Sequence, residues 1–497
     1  MFYTLVMVLC SIVALLVLLD FLVKNFTTYK IAKLSQGPPM YPIIGSTQFL
    51  FSSQENTFKM GTSLCSKYPS GFMYWTFGIM VYHIYSADSF ERIVTNPKHI
   101  EKSFTYKFLH QLLGTGLLTS TAEKWFARRK LLTPAFHFNI LNGFQSTFNE
   151  QTEILLREIR KNEVNNPEGT HLQKLISRFT LNTICESAMG VKLTKIDELD
   201  DYRSKINAIG KYQVERMTVP WFLIDWLYNW FGNGSKENQL TDQAHAFTGG
   251  VIATKRKAFL ANQKQQNATE GEENDSYTKR RHAMLDTLLM AELNQKIDRA
   301  GIQEEVDTFV FEGFDTTMTA ITFILLAIAN HEDVQQKLYE EIKAHEGEPN
   351  YNNLTYMDAV IKEALRLYPA VPFIGRILGE DTVIDNVKLP AKTIIHIIIH
   401  VLHRDPANFP DPEKFQPNRF LNNEVRHPFA YVPFSAGQRN CIGQKFAMME
   451  LRTVVGEIVK NFELKPITKT EDVVIISDLI LRARDPIRVK FVARSQN

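Results

Sequence analysis

The sequence predicts a mainly α-helical protein with small β-sheets, preceded by one N-terminal transmembrane helix. An apolar run opens the chain at Phe2–Val23, short alternating stretches follow at Phe72–Phe77 and Val81–Tyr85, and long helical patterns dominate from about Lys124 onward. Hydrophobic residues make up 44% of the 497 residues and charged residues 22%. This balance is typical of globular proteins, and the length allows a large core.

The N-terminal run is long enough to cross a bilayer, which requires about 20 apolar residues. Its start carries no basic residue, whereas Lys24, Lys30 and Lys33 follow it. A cleaved secretory signal would have a charged start and a small-residue cleavage site, and neither is present here. The positive-inside rule therefore predicts an uncleaved anchor at residues 1–24, with the rest of the chain in the cytoplasm.

Residues 25–45 are basic and rich in Pro and Gly, and the segment Gly37–Gly45 cannot continue a helix, so we expect a rigid hinge. Residues 46–497 then form the main domain. Within it, the polar stretch 262–276 predicts a mobile surface loop between two helices. Segment 369–434 predicts strands and irregular loops before a last helix and short strands.

The charge and cysteine content exclude several classes of protein. A net charge of +2 gives no reason to expect a nucleic-acid partner. The four cysteines are too widely spaced for a zinc pair or a disulfide framework, and they fit a reducing compartment. His396, His400 and His403 have a spacing that suggests zinc, but the β-branched residues between them favour a strand.

The strongest chemical motif is the segment 434–443, Phe-Ser-Ala-Gly-Gln-Arg-Asn-Cys-Ile-Gly, followed by a helical pattern over Gln444–Val459. A cysteine beside a helix N-terminus has a stabilised thiolate, the form that binds iron. Glycines allow the backbone to approach a flat cofactor, and Arg439 can bind a carboxylate through a bidentate fork.

This segment resembles the haem-binding signature of the cytochrome P-450 superfamily, with Phe434, Arg439, Cys441 and Gly443 at defining positions. The resemblance covers the chain from the hinge to the final strands. It implies the P-450 fold, haem b (iron protoporphyrin IX) with Cys441 as the iron ligand, and a monooxygenase that inserts one atom of O2 into C–H bonds of lipophilic substrates.

Three further segments match the superfamily in the required order. Glu363 and Arg366 resemble its ExxR motif, and Arg419 resembles the third member of a buried trio with a structural role. Trp125 and Arg129 resemble the WxxxR pattern of a helix that passes a haem propionate. In addition, Arg376 occupies the position of another propionate ligand.

Residues 304–317 resemble the long helix that crosses the haem. Asp315 and Thr316 match the acid and alcohol of the proton relay, and Gly313 opens the helix where oxygen must sit. Glu312 indicates family four, the fatty-acid ω-hydroxylase branch, in which this glutamate can form an ester with a haem methyl. The branch commonly has His at the position of Phe314.

The resemblance also implies partners and a location. Electrons would come from NADPH–cytochrome P-450 reductase, with cytochrome b5 as a second donor, because the sequence lacks a dinucleotide-binding glycine pattern. Lys445, Arg128 and Lys130 could form the basic docking patch, with Arg128 and Lys130 directed to solvent. The membrane would be that of the endoplasmic reticulum.

Two other functions remain open at this point. A haem-thiolate isomerase or dehydratase acting on peroxides tends to lose the acid and alcohol pair, which this chain retains. A haem-binding sensor without turnover would need neither the relay nor the anchor. Among substrates of a monooxygenase, the branch favours terminal hydroxylation of fatty acids or related lipids, although members also oxidise hormones and xenobiotics.

Overall fold

The computed structural model describes residues 2–193, 196–269, 283–345, 351–422 and 424–494. Within these ranges the chain is mainly helical with small sheets, as predicted. The helices are α1 Phe2–Asn25, α2 Thr27–Leu34, α3 Gln54–Lys67, α4 Ala87–Thr95, α5 His110–Leu113, α6 Ala122–Leu132, α7 Phe138–Leu141, α8 Gln145–Asn162, α9 Leu172–Ser187, α10 Ile196–Thr218, α11 Asp225–Phe231, α12 Gly234–Thr269, α13 Met284–Leu293, α14 Arg299–Asn330, α15 Glu332–Ala344, α16 Thr355–Leu367, α17 Ile399–Leu402 and α18 Gln444–Asn461.

The strands are short and form small sheets. They are β1 Phe72–Thr76, β2 Ile79–Ile84, β3 Thr170–His171, β4 Ile374–Ile377, β5 Thr382–Ile384, β6 Val387–Leu389, β7 Ile394–Ile397, β8 Phe462–Pro466, β9 Ile475–Ile476, β10 Arg482–Ala483 and β11 Arg488–Ala493. The largest sheet has the order β1-β2-β7-β4, in which only β2 and β7 are parallel. The small sheet predicted early in the chain is confirmed by the antiparallel strands β1 and β2, with Phe72 opposite His83.

Helix α14 is the centre of the fold. It begins at the N-cap Asp298, whose side chain accepts a hydrogen bond from the backbone N–H of Gly301 at 2.8 Å. Most of its side chains are buried on every face, as expected for a helix enclosed by other helices. It packs on α9, α16 and α18, and it therefore fixes where these elements meet around the site described below.

Helix α1 is long and apolar enough to cross a membrane, and its apolar window is not buried by the rest of the protein. Helix α14 satisfies the same criteria of length and composition but is mostly buried. The segment after α1 contains helix α2, which packs on the first sheet. Tyr29 lies edge-on to Trp75 at 5.3 Å, and Thr28 Oγ1 accepts a hydrogen bond from the Trp75 indole.

Two local predictions need correction. Residues 262–269 belong to α12 and are not a loop, because this polar stretch has high helix propensity. Residues 270–276 of the predicted loop lie outside the described ranges. The strand pattern at 396–403 ends with β7 at Ile397, and Ile399–Leu402 turns into the short helix α17. The predicted helix after Cys441 is confirmed as α18.

Candidate active site

The loop that carries Cys441 is held in one conformation by local sterics. Gly437 has a φ of +71°, and a Cβ there would lie 2.1 Å from the carbonyl oxygen of Val94, so only glycine fits. The backbone N–H of Cys441 donates to the carbonyl of Phe434 at 3.0 Å. Gly443 is the N-cap of α18, which places the sulfur beside a helix N-terminus as the sequence predicted.

The Cys441 side chain is surrounded by protein but is exposed to a cavity of about 230 Å³. Burial raises the pKa of the thiol to about 12, the nearby Glu312 raises it further, and the Gly443 backbone N–H and Arg129 oppose the shift. The sulfur is therefore protonated unless a cation binds it. Coordination to a metal displaces the thiol proton, so this site favours the thiolate only when a metal is bound.

The cavity is lined on one side by Cys441 and on another by α14. A Cβ placed on Gly443 would meet only Cys441 Sγ, at 3.9 Å, so the backbone leaves room there for a planar group. On the opposite wall lie Gly313 and Thr316 of α14, and the rim includes Phe434. Gly313 has a second role, because a Cβ there would lie 2.6 Å from Ile184 of α9, and glycine therefore permits close packing of the two helices.

Basic side chains surround one end of the cavity. Arg439 donates to the carbonyls of Ser120 and Leu118 at 2.8 and 2.9 Å, and its guanidinium lies 4.8 Å from the Trp125 ring. Burial lowers the pKa of Arg439 to about 9, with repulsion from Arg376 as the next cause. This arginine is therefore fixed in place but short of a negative partner.

Arg129 and Arg376 approach the same region from different elements. Arg129 donates to the backbone carbonyl and the side-chain oxygen of Asn440 at 3.0 and 2.8 Å. Arg376 is buried on β4, bonds the carbonyl of Gly375 at 2.9 Å, and does not itself line the cavity. The fold thus brings Trp125, Arg129 and Arg439 together at the cavity. Arg376 lies near them but does not contact the cavity.

Sequence reasoning missed Lys102 and Tyr106, which also line the cavity. Lys102 is buried with its ammonium 4.5 Å from the Tyr106 ring, and burial together with Arg376 and Arg439 lowers its pKa well below the usual value. Neither residue belongs to a motif, and a lysine in a short polar stretch is usually solvated. No signal in the sequence distinguishes Lys102 from such a surface residue.

The charges of the described lining residues fit a dianionic cofactor. Lys102, Arg129 and Arg439 face the cavity, and Glu312 is the one acidic side chain among them. Buried cations need counter-charges, and a planar ring with carboxylate arms would supply them while filling the space beside Cys441. The residues present therefore fit haem, whose propionates the basic residues Lys102, Arg129 and Arg439 would bind.

The α14 wall holds Thr316, one of the two residues predicted for proton transfer. Thr316 Oγ1 donates to the carbonyl of Glu312 at 2.6 Å and lines the cavity. The Glu312 carboxyl also lines it, and burial raises its pKa to about 7, opposed first by Lys102. Glu312 can therefore be protonated or ionised near neutral pH.

Asp315 faces away from the cavity. It forms a bidentate ion pair with Arg482 of β10 at 3.1 and 2.6 Å, and Arg482 also bonds Asp478 at 2.9 Å. Phe314 is fully buried against Tyr202 on the same far side, with ring centroids 5.7 Å apart. The substitution of His by Phe at 314 therefore does not touch the cavity.

The buried trio is confirmed by the geometry. Arg366 donates to the two oxygens of Glu363 at 2.8 and 2.9 Å, and Arg419 Nε lies 3.2 Å from the same carboxylate. Arg366 also donates to the carbonyls of His403, Pro412 and Lys414. These bonds tie α16 to the loop that precedes Cys441.

Of the three predicted patch residues, Arg128 is not solvent-directed. Its guanidinium lies 3.6 Å from the buried Glu305 of α14 and 4.0 Å from Glu304, which draw it inward. Lys130 and Lys445 are exposed.

The family model described as Cytochrome P450 matches residues 35–491. The chain is 43% identical over 422 residues to Probable cytochrome P450 4ac1 of Drosophila melanogaster, an alignment that covers 83% of this chain and 81% of that protein. It is 38% identical over 506 residues to Cytochrome P450 4p1 of the same species, covering 96% of each. It is also 39% identical over 475 residues to Cytochrome P450 4V2 of Rattus norvegicus, covering 92% and 89%.

Proposed function

Because the chain belongs to the cytochrome P450 family and is a haem-thiolate monooxygenase with family-four relatives, we propose that its reaction is the terminal (ω) hydroxylation of fatty acids or related lipids. The observation that carries this proposal is the pair of largely apolar cavities that segment 370–374 helps to line. Ala370, Val371 and Ile374 line the cavity at Cys441, and Pro372 and Phe373 of the same segment line a second cavity of about 270 Å³. Together they offer room for a long apolar chain.

Haem b, when bound, supplies the oxygen chemistry, and a thiolate ligand donates electron density that favours cleavage of the O–O bond. We assign Cys441 as that ligand and Gly443 as the residue that leaves space above the sulfur. Trp125, Arg129 and Arg439 would hold the propionates, with Phe434 at the rim. Lys102 and Arg376 would add positive charge at the same end.

Thr316 is the proposed proton donor at the cavity, because its hydroxyl lines the wall beside Gly313. Asp315 is the proposed acid behind it. Since Asp315 is paired with Arg482 on the far face of α14, its carboxylate must move away from Arg482 before it can exchange a proton with groups near the cavity. The ion pair thus holds the Asp315 side chain away from the cavity between turnovers.

We also propose that Glu312 bonds covalently to the haem. Its carboxyl faces the cavity and makes no side-chain hydrogen bond within the described part of the chain. A Glu312 carboxylate oxygen would form the ester bond in place of one C–H bond of a haem methyl, and the proton and two electrons released would be taken up by O2 in the enzyme's own turnover. Acid extraction followed by mass analysis tests this, because haem that separates completely from the protein contradicts the ester.

The electrons are proposed to come from NADPH–cytochrome P-450 reductase, with cytochrome b5 as a second donor. Lys445 lies four residues beyond Cys441 and is exposed on α18, and Lys130 is exposed on α6. An acidic partner could dock on this side, near the sulfur. Reversal of charge at Lys445 should then slow reductase-dependent turnover and weaken its dependence on salt.

The proposed location is the endoplasmic reticulum membrane, with α1 as a single-pass anchor. A second observation favours attachment to a membrane. Large apolar side chains are exposed around α11, a surface that also includes Phe51 packed on Trp221 at 5.2 Å. Its members are Phe51, Trp221, Ile224, Trp226, Trp230 and Phe231. Trp side chains are enriched at membrane interfaces.

The test uses the full-length protein in lipid vesicles with the reductase and NADPH. We expect hydroxylation of a dodecyl chain at its terminal carbon, located by mass spectrometry. Thr316→Val should lower the product formed per NADPH consumed, and Thr322→Val on the same helix is the matched control. If the protein oxidises none of a series of acids, alcohols and esters, the proposed substrate class is wrong.

A further inference from the structure

A third cavity, of about 210 Å³, lies against another face of helix α14. Thr319 and Thr322 of this helix line it, whereas Thr316 lines the cavity at Cys441. Residues of β3, α9, α10 and segment 481–486 complete its wall. Within the described chain the two cavities share no lining residue, so a ligand bound here would not occupy the space beside Cys441.

Arg203 of α10 lines this cavity and lacks a counter-charge. It is half-buried and makes no hydrogen bond or ion pair within the described part of the chain. Its Nε is enclosed by protein, but its two Nη atoms, which also lack partners, are not. Burial lowers the pKa of Arg203, and the carboxylates that oppose this shift, Asp200 and Asp315, are bonded to Arg178 and Arg482 instead. A partly buried cation in this state favours a bound anion.

Three more hydrogen-bond donors of the same wall are unused in the structure as described. Asn207 lies one turn after Arg203 on α10, on the same side of the helix, and its Nδ2 makes no hydrogen bond. Gln173 of α9 accepts the N–H of Ile487 through Oε1 at 3.0 Å, and its Nε2 donates to no atom. The hydroxyl of Thr319 on α14 also makes no hydrogen bond. Polar groups of a cavity wall are normally paired, so these donors indicate an acceptor that binds among them.

The other charged groups of the wall do not neutralise Arg203. Asp485 is the one carboxylate among the described lining residues, and it accepts hydrogen bonds from Arg484 at 2.8 and 2.9 Å. Arg482 lines the cavity too, but its charge is already compensated by carboxylates behind it. Burial, followed by repulsion from Arg203, lowers the pKa of His171, so this ring is neutral near pH 7. Arg203 therefore supplies the uncompensated positive charge.

We propose that this cavity is a binding site for a phosphate group, held by the Arg203 guanidinium with Asn207, Gln173 and Thr319 as further donors. The planar fork of an arginine matches two oxygens of a phosphate. The remaining donors come from three different helices, α9, α10 and α14, and such a spread suits a tetrahedral group better than a planar carboxylate. The site is independent of the proposed reaction, because α14 lies between it and Cys441.

The test titrates inorganic phosphate into the full-length haem-loaded protein in phosphatidylcholine vesicles, at pH 8 and constant ionic strength, and measures the heat of binding. We expect saturable binding of one phosphate per protein, without a change in haem spin state, and weaker binding of acetate. Vesicles that also contain phosphatidic acid form the second arm. Loss of phosphate binding in these vesicles identifies a lipid as the source of the phosphate group, and unchanged binding identifies a free phosphate compound.

Variants then connect the binding to the wall. Arg203→Gln removes the charge and the fork and should weaken phosphate binding by at least about tenfold. Arg203→Lys keeps the charge without the fork and should lose less. Thr319→Val removes one neutral donor and should weaken binding by between about twofold and tenfold. Arg299→Gln is the matched control with unchanged affinity, since it removes the same charge from an exposed position at the start of α14.

Three results would overturn the site. The first is heat that does not saturate, or that is the same in Arg203→Gln as in the unaltered protein, because it shows only an effect of salt on the surface. The second is acetate binding as tight as that of phosphate, and the third is a change in haem spin state that persists in Arg203→Gln. If Arg203→Gln does not incorporate haem, the Arg203→Lys and Thr319→Val variants decide. Lipid hydroxylation stands or falls separately from all of these results.

Discussion

Replacement of Arg366 by Leu tests the structural role of the buried trio. Both Arg366 and Glu363 are fully buried, and the Glu363 carboxylate accepts bonds from Arg366 Nε, Arg366 Nη2, Arg419 Nε and the Gln416 N–H at 2.8 to 3.2 Å. Removing one partner of such a buried pair costs about 3–5 kcal/mol. Since domains are stable by about 5–15 kcal/mol, the Arg366→Leu variant should lose a large fraction of its free energy of unfolding.

Arg452 provides the matched control. It makes a bidentate pair with Asp358 at 2.7 and 3.1 Å, but both side chains are partly exposed, at 19% and 24%. Arg452→Leu should therefore cost only about 0–1 kcal/mol. Denaturant unfolding of both variants in the same detergent gives the comparison, together with haem content. Equal losses for the two arginines would refute the claim that burial of the trio stabilises the Cys441 loop.

Three further predictions follow from buried groups. Glu450 has both carboxyl oxygens buried without a partner in the described structure, and burial raises its pKa well above 4.5. The folded protein favours the protonated form of Glu450, so the free energy of unfolding of the wild-type protein falls as pH rises above about 4.5. Glu450→Met removes this loss and should therefore raise the unfolding temperature more at pH 8 than at pH 5. Lys102→Met should stabilise the haem-free protein, because it removes a buried amine whose charged form burial disfavours, yet speed the transfer of haem to a competing apoprotein; slower transfer would argue against a propionate partner. Arg482→Gln releases the Asp315 carboxylate from the ion pair that holds it on the far face of α14, so product formed per NADPH consumed should rise while haem content is retained; unchanged coupling would separate Asp315 from the proton path.

Short-range patterns in the sequence predict the parts of the site that lie on single segments. The Cys441 loop and the start of α18 follow from one ten-residue motif, because glycine conformation and helix capping are local properties. The ExxR pair is local as well, since Glu363 and Arg366 lie one turn apart on α16. Arg419 could be added only through the family resemblance, because it joins them from 56 residues away.

Long-range packing decides what the sequence could not predict. Asp315 faces Arg482, 167 residues later in the chain, and no local pattern shows that its side chain leaves the cavity face of α14. Arg128 turns inward because Glu305 is buried beside it, although its own segment suggests a solvated residue. The paired histidines 83 and 396 come from separate strands that meet only in the folded sheet.

Ligation of haem by the Cys441 sulfur is tested most directly by the absorption spectrum of the reduced carbon monoxide complex. The full-length protein should show its Soret band at the long-wavelength position typical of thiolate ligation. Variants Cys65→Ala and Cys185→Ala should keep that band, and Cys441→His should move it to the shorter wavelength of histidine ligation. A folded, haem-loaded wild-type protein without the thiolate band, or a Cys441→His variant that retains it, would contradict the assignment.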